Sequence, residues 1–397
     1  MRHVMRHVIR PTGPKRRNTL AAALLAIPVA LAAAPTPASA VTGPAAPSAG
    51  ATYAAQIVVG DHDRGCSGVL VARQWLLTAA SCFADDPATS ISVPAGKPAR
   101  TTTATIGRSD LSGTAGAVRQ VVELAPSTGR DVVLARLDRA VTNVAPIALA
   151  ATAPTAGEEL QFAGYGRTAT EWAPLALHTG TLSVDASTAT TVTVTGKNGA
   201  SACMGDTGGP VIRTVNGTPQ LAALNSRSYQ GGCFGIDATE TRTGGIATRV
   251  DDLASWVSGF VDAFRPLKNV GTQRCLAVPA ANTGNNIPLI QWTCSTGAEQ
   301  QWRLEHVDGG NGDRYRVRNS NSKKCLAMPA ASKEDAAQAI QWPCGTGTEQ
   351  VWLQDSIGRL RNLNSDKCLA IPGSDTAPGA KVIQWPCSTN NDQRWTW

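Results

Sequence analysis

Short apolar runs separated by Gly, Pro and Thr clusters occupy residues 53–264. Gly68–Ala72, Trp75–Ala80, Asp131–Leu137, Leu160–Gly164 and Thr191–Thr195 predict strands of an antiparallel β protein. Leu253, Trp256, Val257 and Phe260 then fall at helical spacing, which predicts one terminal helix within 250–264, and Pro266 marks its boundary. From residue 268 the pattern changes to a triple repeat. Each copy reads Cys-Leu-Ala-(Val/Met/Ile)-Pro, then Ile-Gln-Trp-(Thr/Pro)-Cys, then Gln-x-Trp. The second cysteine precedes the last tryptophan by eight residues every time, as Cys294/Trp302, Cys344/Trp352 and Cys387/Trp395. Those three tryptophans are expected in the core, one per copy, because each supplies a large buried area.

Composition supports a turn-rich β protein over a helical one: 38 Gly and 24 Pro among 397 residues, with only 16% charged. A hydrophobic share of 42% is enough for packed cores and excludes wholesale disorder. The net charge of +7 points first to a nucleic-acid partner, but its distribution argues against one. Arg2, Arg6, Arg10, Lys15, Arg16 and Arg17 lie within residues 1–40, which hold no acid, and the remainder has 30 Lys+Arg against 29 Asp+Glu. The basic stretch, the apolar run Leu20 to Ala34 and Ala38-Ser39-Ala40 together predict a cleaved signal peptide over 1–40. That run is about 15 residues long and contains Pro28, too short for a comfortable span. A secreted, extracellular chain beginning near Val41 is expected, with no membrane span in the mature part; Arg16-Arg17 leaves the twin-arginine route open beside the general one.

Ten cysteines suit an oxidising compartment. Their spacing falls into pairs, Cys66/Cys82, Cys203/Cys233, Cys275/Cys294, Cys325/Cys344 and Cys368/Cys387, the last three sharing a separation of 19. Zinc is the competing reading, but there is no close Cys-x-x-Cys or Cys/His cluster, so five disulfides and neither metal nor cofactor are expected.

The Gln-x-Trp triple repeat resembles the ricin-type lectins, over residues 265–397. The resemblance implies a β-trefoil that binds carbohydrate, with Trp292, Trp342 and Trp385 as stacking platforms for a sugar ring. The family's sugar-gripping aspartate sits two residues after the first cysteine, where this chain has Ala277, Ala327 and Ala370. Each copy carries an acid before the Gln of Gln-x-Trp, and Glu299, Glu349 and Asp392 are candidates to accept the sugar hydroxyls; solvated loop acids are the alternative.

Residues 57–264 resemble the trypsin/chymotrypsin-like serine proteases. Gly65-Cys66-Ser67-Gly68 leads into Thr78-Ala79-Ala80-Ser81-Cys82, where the family has Thr-Ala-Ala-His-Cys. Asp131–Leu137 matches the strand of the buried catalytic aspartate, Gly205-Asp206-Thr207-Gly208-Gly209-Pro210 matches Gly-Asp-Ser-Gly-Gly-Pro, and Ile57-Val58-Val59-Gly60 resembles the mature protease N-terminus. The resemblance implies an all-β architecture of two six-stranded antiparallel barrels with a C-terminal helix, ahead of the trefoil. It places the triad at Ser81, Asp131 and Thr207, the oxyanion hole at Gly205 and Thr207, primary specificity at Ser201, and a structural carboxylate at Asp206. The neutral Ser201 is closer to an apolar-preferring pocket than to a Lys/Arg-preferring one.

The two substitutions undercut the chemistry. A hydroxyl at 81 cannot act as general base near neutral pH, and the Thr207 methyl crowds the attack path. Working threonine nucleophiles are usually N-terminal and use their own amine, whereas Thr207 is internal. His62 and His178 fall where the family supplies no catalytic group. In the family a freed Ile amine inserts against the carboxylate before the nucleophile; Ile57 follows Gln56, so residues 41–56 are expected as a pro-segment or linker and the domain as zymogen-like. The expectation is a secreted protease homologue of little or no peptidase activity, its cleft binding a protein or peptide and its lectin half a polysaccharide. An active Thr207 endopeptidase, its base a histidine of the substrate, is the alternative.

Overall fold

The computed structural model describes residues 51–307, 314–355 and 357–396. The expected signal peptide and residues 41–50 of the expected pro-segment lie outside the described residues.

Six strands form the first barrel: β1 (Ala54–Val59), β2 (Arg64–Ala72), β3 (Trp75–Thr78), β4 (Thr102–Ile106), β5 (Ala117–Pro126) and β6 (Val133–Leu137). They pair antiparallel in the closed order β1-β2-β3-β6-β5-β4. Alternation along β1 and β4 sends Ile57, Ala104 and Ile106 inward against Leu70, Leu76 and Leu137. The second barrel uses β8 (Glu159–Gly164), β9 (His178–Ser187), β10 (Thr191–Gly196), β11 (Pro210–Val215), β12 (Thr218–Ser228) and β13 (Gly245–Arg249). Pairing of β11 with β12 closes it, and the short β7 (Ala148–Leu149) runs parallel to β12 at its outside. Leu160, Phe162, Leu182, Val192 and Val211 fill it. A third apolar layer joins the barrels, with Val69, Leu77 and Leu134 from one against Leu221 and Leu224 from the other. Helix α1 (Ala254–Val261) packs Val257, Trp256 and Phe260 onto this layer and is shorter than the helical spacing predicted.

Ile57 sits in the middle of β1, fully buried, paired with Cys66 on one side and Ala104 on the other. A cut before it would sever the strand that closes the barrel, so the first barrel already includes Ala54, Ala55 and Gln56 and the segment 41–56 is not wholly a linker.

The repeat folds as three equivalent hairpins. Cys275–Ala277 pairs with Ile290–Trp292, Cys325–Ala327 with Ile340–Trp342, and Cys368–Ala370 with Ile383–Trp385, in each case Cys opposite Trp, Leu opposite Gln and Ala opposite Ile. Trp302, Trp352 and Trp395 meet in one core, and each indole N–H donates to the carbonyl of Leu276, Leu326 or Leu369 at 2.8, 3.0 and 3.0 Å. The five disulfides join the pairs anticipated from spacing. Among the described residues no helix is long and apolar enough to cross a membrane.

Candidate active-site cleft and glycan platforms

Pairing of Thr78 with Val133 brings the turn after β3 against the start of β6, and the Cys66–Cys82 disulfide pins that turn to β2. Ser81 therefore lands on Asp131. Its backbone N–H donates to Asp131 Oδ1 at 2.7 Å and its hydroxyl to Oδ2 at 2.9 Å. A third donor, Ser226 Oγ at the end of β12, reaches Oδ2 at 2.6 Å. The buried carboxylate is thus met by three donors of the chain itself. Sequence reading missed Ser226, because its role depends on packing between residues 95 apart and no local spacing signals it.

Thr207 lies on a loop held from several sides. Ser67 N–H donates to the Thr207 carbonyl at 2.9 Å, Gly208 N–H to Asn225 at 2.7 Å, and Ser67 Oγ to the Gly205 carbonyl at 2.9 Å. Gly208 has φ +81°, and a Cβ there would run into Thr78 Oγ1 and the Ser67 carbonyl, so only glycine lets the loop approach β2 and β3. The Thr207 hydroxyl, and the N–H groups of Gly205 and Thr207, have no hydrogen-bond partner among the described residues. Two free amides of this kind can stabilise an oxyanion. The hydrogen bonds of Asp131 come from Ser81 and Ser226, and none from an imidazole, among the described residues. His62 is exposed and His178 opens β9 opposite Gly164.

Asp206 points the other way, into the second barrel's edge. Its Oδ1 accepts the Gly166 N–H at 2.8 Å and its Oδ2 the Cys203 N–H at 2.9 Å. Gly164 and Gly166 make the space, since a Cβ on either would strike the carboxylate. Burial pushes its pKa up to about 7, against the pull of those two bonds, and no cationic side chain pairs with it among the described residues.

Ser201 is fully buried beside the Cys203–Cys233 disulfide. Ser228, also unforeseen, donates to the Ala202 carbonyl and so ties the end of β12 to the segment that carries Ser201. An exposed rim of Trp172, Met204, Tyr229 and Phe234 flanks this region, with Arg167 stacked over Trp172 at 3.3 Å.

On the trefoil, Trp292, Trp342 and Trp385 stand 46%, 41% and 45% exposed, each opposite the first cysteine of its hairpin. Ala277, Ala327 and Ala370 are buried, so nothing polar replaces the aspartate there. The carboxylates of Glu299 and Glu349 lie over Gly297 and Gly347. Asp392 departs from the expectation placed on all three acids. It is buried, its carboxyl bonds to Ser374, and burial raises its pKa, which withdraws it from a solvent-facing sugar. The backbone carbonyls of all three brace the loop after the first cysteine, accepting the N–H of Val278, Met328 and Ile371.

The sequence matches the trypsin family over residues 40–257 and the ricin-type beta-trefoil lectin domain over residues 263–395. No curated protein matches it. Among solved structures, the designed 3-fold symmetric protein ThreeFoil is 33% identical, covering 34% of this chain and 95% of its own, with a TM-score of 0.32. Neuropsin, a serine protease expressed in the limbic system of mouse brain, is 20% identical, covering 55% of this chain and 99% of its own, with a TM-score of 0.44. With two closed barrels, an aspartate-bearing cleft and a three-hairpin trefoil behind them, the chain belongs to the trypsin family and joins its trypsin-like domain to a ricin-type lectin domain.

Proposed function

We propose that the protein is a secreted trypsin homologue of little or no peptidase activity, tethered to polysaccharide by its lectin domain, whose cleft holds a protein or peptide segment without cutting it. The observation that carries this reading is the enclosure of Asp131 by Ser81 N–H, Ser81 Oγ and Ser226 Oγ. Acyl transfer needs a base that takes the nucleophile's proton and returns it to the leaving amine, and a serine hydroxyl does neither near neutral pH. Losing such a group lowers turnover on the order of a million-fold in comparable enzymes. The five disulfides are consistent with an extracellular chain, and removal of 1–40 frees the amine of Val41. The exposed Trp292, Trp342 and Trp385 are the sugar platforms, with Glu299 and Glu349 as the remaining candidates for its hydroxyls.

The free amides of Gly205 and Thr207 favour one second reading, an endopeptidase that uses Thr207 and borrows a histidine from its substrate. Hydrolysis of casein and of chymotrypsin-type peptides by the 41–397 chain decides between them. A silent chain is expected; cleavage abolished by Thr207→Ala would establish the second reading instead. Retention on insoluble polysaccharides, lost in the Trp292→Ala/Trp342→Ala/Trp385→Ala variant, tests the lectin half.

A further inference from the structure

A cavity of about 440 Å³ lies between the first barrel, the end of α1 and the first repeat of the trefoil. That volume is within the range of small-ligand sites. Its charge does not balance. Glu123 is shared by Arg136 at 2.7 Å and Arg265 at 2.5 Å, and Glu305 is shared by Arg303 and by Arg318 at 3.3 Å. Arg73 and Asp262 also line the cavity and cancel in the count. Arg318 and Glu123 lie outside the lining, so three guanidinium groups at the wall, Arg136, Arg265 and Arg303, are met by the two carboxylates Glu123 and Glu305, and the three are 16%, 21% and 28% exposed. Uncompensated positive charge in a partly dry cleft is unfavourable until an anion enters. The walls add apolar ring faces, since Trp75 lies 5.5 Å under the Arg265 guanidinium and 6.0 Å from Phe260.

From this we infer that the interdomain cavity binds a carboxylate-bearing saccharide of about disaccharide size. Arginine forks take the carboxylate and the aromatic walls take the C–H face of the ring. The site is separate from the three tryptophan platforms and does not depend on them.

Isothermal titration of the 41–397 chain with trigalacturonic acid, the neutral galactose trisaccharide and inorganic phosphate tests the inference. Trigalacturonate is expected to bind more tightly than either of the others, and more weakly as salt rises. Arg303→Gln should weaken it at least ten-fold and Glu305→Gln should tighten it, while Trp342→Ala leaves it unchanged. Arg303→Lys, which keeps the charge, should recover part of the loss and separates charge from folding. Absence of trigalacturonate binding overturns the site, and so does loss in Trp342→Ala with no effect of Arg303→Gln. Phosphate binding as tightly as trigalacturonate overturns the ligand class.

Discussion

The trefoil and the barrels build their sites in opposite ways. In the trefoil every platform comes from one hairpin, its tryptophan opposite the first cysteine and its second cysteine closing a 19-residue loop. In the barrels the cleft is assembled across sequence separations of 50, 95 and 138 residues, through Ser81–Asp131, Ser226–Asp131 and Ser67–Gly205. A site made of local repeats can change one copy at a time, and Asp392 is buried where Glu299 and Glu349 are partly exposed. A site made of distant single residues stands to lose its chemistry at one substitution while keeping its frame.

The largest expected effect tests that last statement. Ser81→His/Thr207→Ser restores base and nucleophile to a frame whose Asp131, Ser226 and free amides are in place. Peptide hydrolysis should rise by about a thousand-fold or more over the unaltered chain. A silent double variant with an unchanged fold would mean that the cleft differs in more than two side chains.

The contrast between tryptophans comes next. Trp352→Ala empties a fully buried position and removes the bond to the Leu326 carbonyl, and should cost about 3–5 kcal/mol in urea denaturation. Trp342→Ala, ten residues earlier on an exposed face, should cost under about 1 kcal/mol yet weaken glycan binding. Equal destabilisation by the two would remove the distinction between core and platform.

What was legible in the sequence follows the same division. The period of the repeat, the cysteine spacing and the core positions Trp302, Trp352 and Trp395 were readable because each depends on nearby residues. The strands were readable in kind but not in extent: Asp131 precedes β6 instead of opening it, and α1 spans only Ala254–Val261. The Ile-Val-Val-Gly string resembles a processed terminus, but the burial of Ile57 in β1 was not legible, because it depends on pairing with Ala104 of β4, far along the chain. Ser226 and Ser228 carried no signal, since a serine at a strand end gains meaning only from what packs opposite it.

Asp206 gives a pH test of the second barrel's edge. Its folded pKa of about 7 lies above the ordinary carboxyl value, so its contribution to stability is present below about pH 4 and is lost as pH rises towards 7. Asp206→Asn, which cannot ionise, should therefore flatten the decline in urea-denaturation midpoint between pH 4 and 7. Superimposable profiles for the two chains would exclude Asp206 as the source of that decline.

The smallest effect bears most directly on whether the cleft is structural. Ser226→Ala removes a buried donor at 2.6 Å from a carboxylate that has little access to water, and should cost about 1.5–3 kcal/mol. Ser81→Ala removes only the hydroxyl, because the backbone N–H of residue 81 still reaches Asp131 Oδ1, so about 1 kcal/mol is expected. If Asp131 serves the fold alone, both variants change denaturation midpoints and neither changes hydrolysis. Were Ser81→Ala to abolish a measurable cleavage while leaving stability intact, its hydroxyl would be part of a working proton path. The trypsin-like half would then be an enzyme with an altered base, and the substitution at residue 81 a change of mechanism.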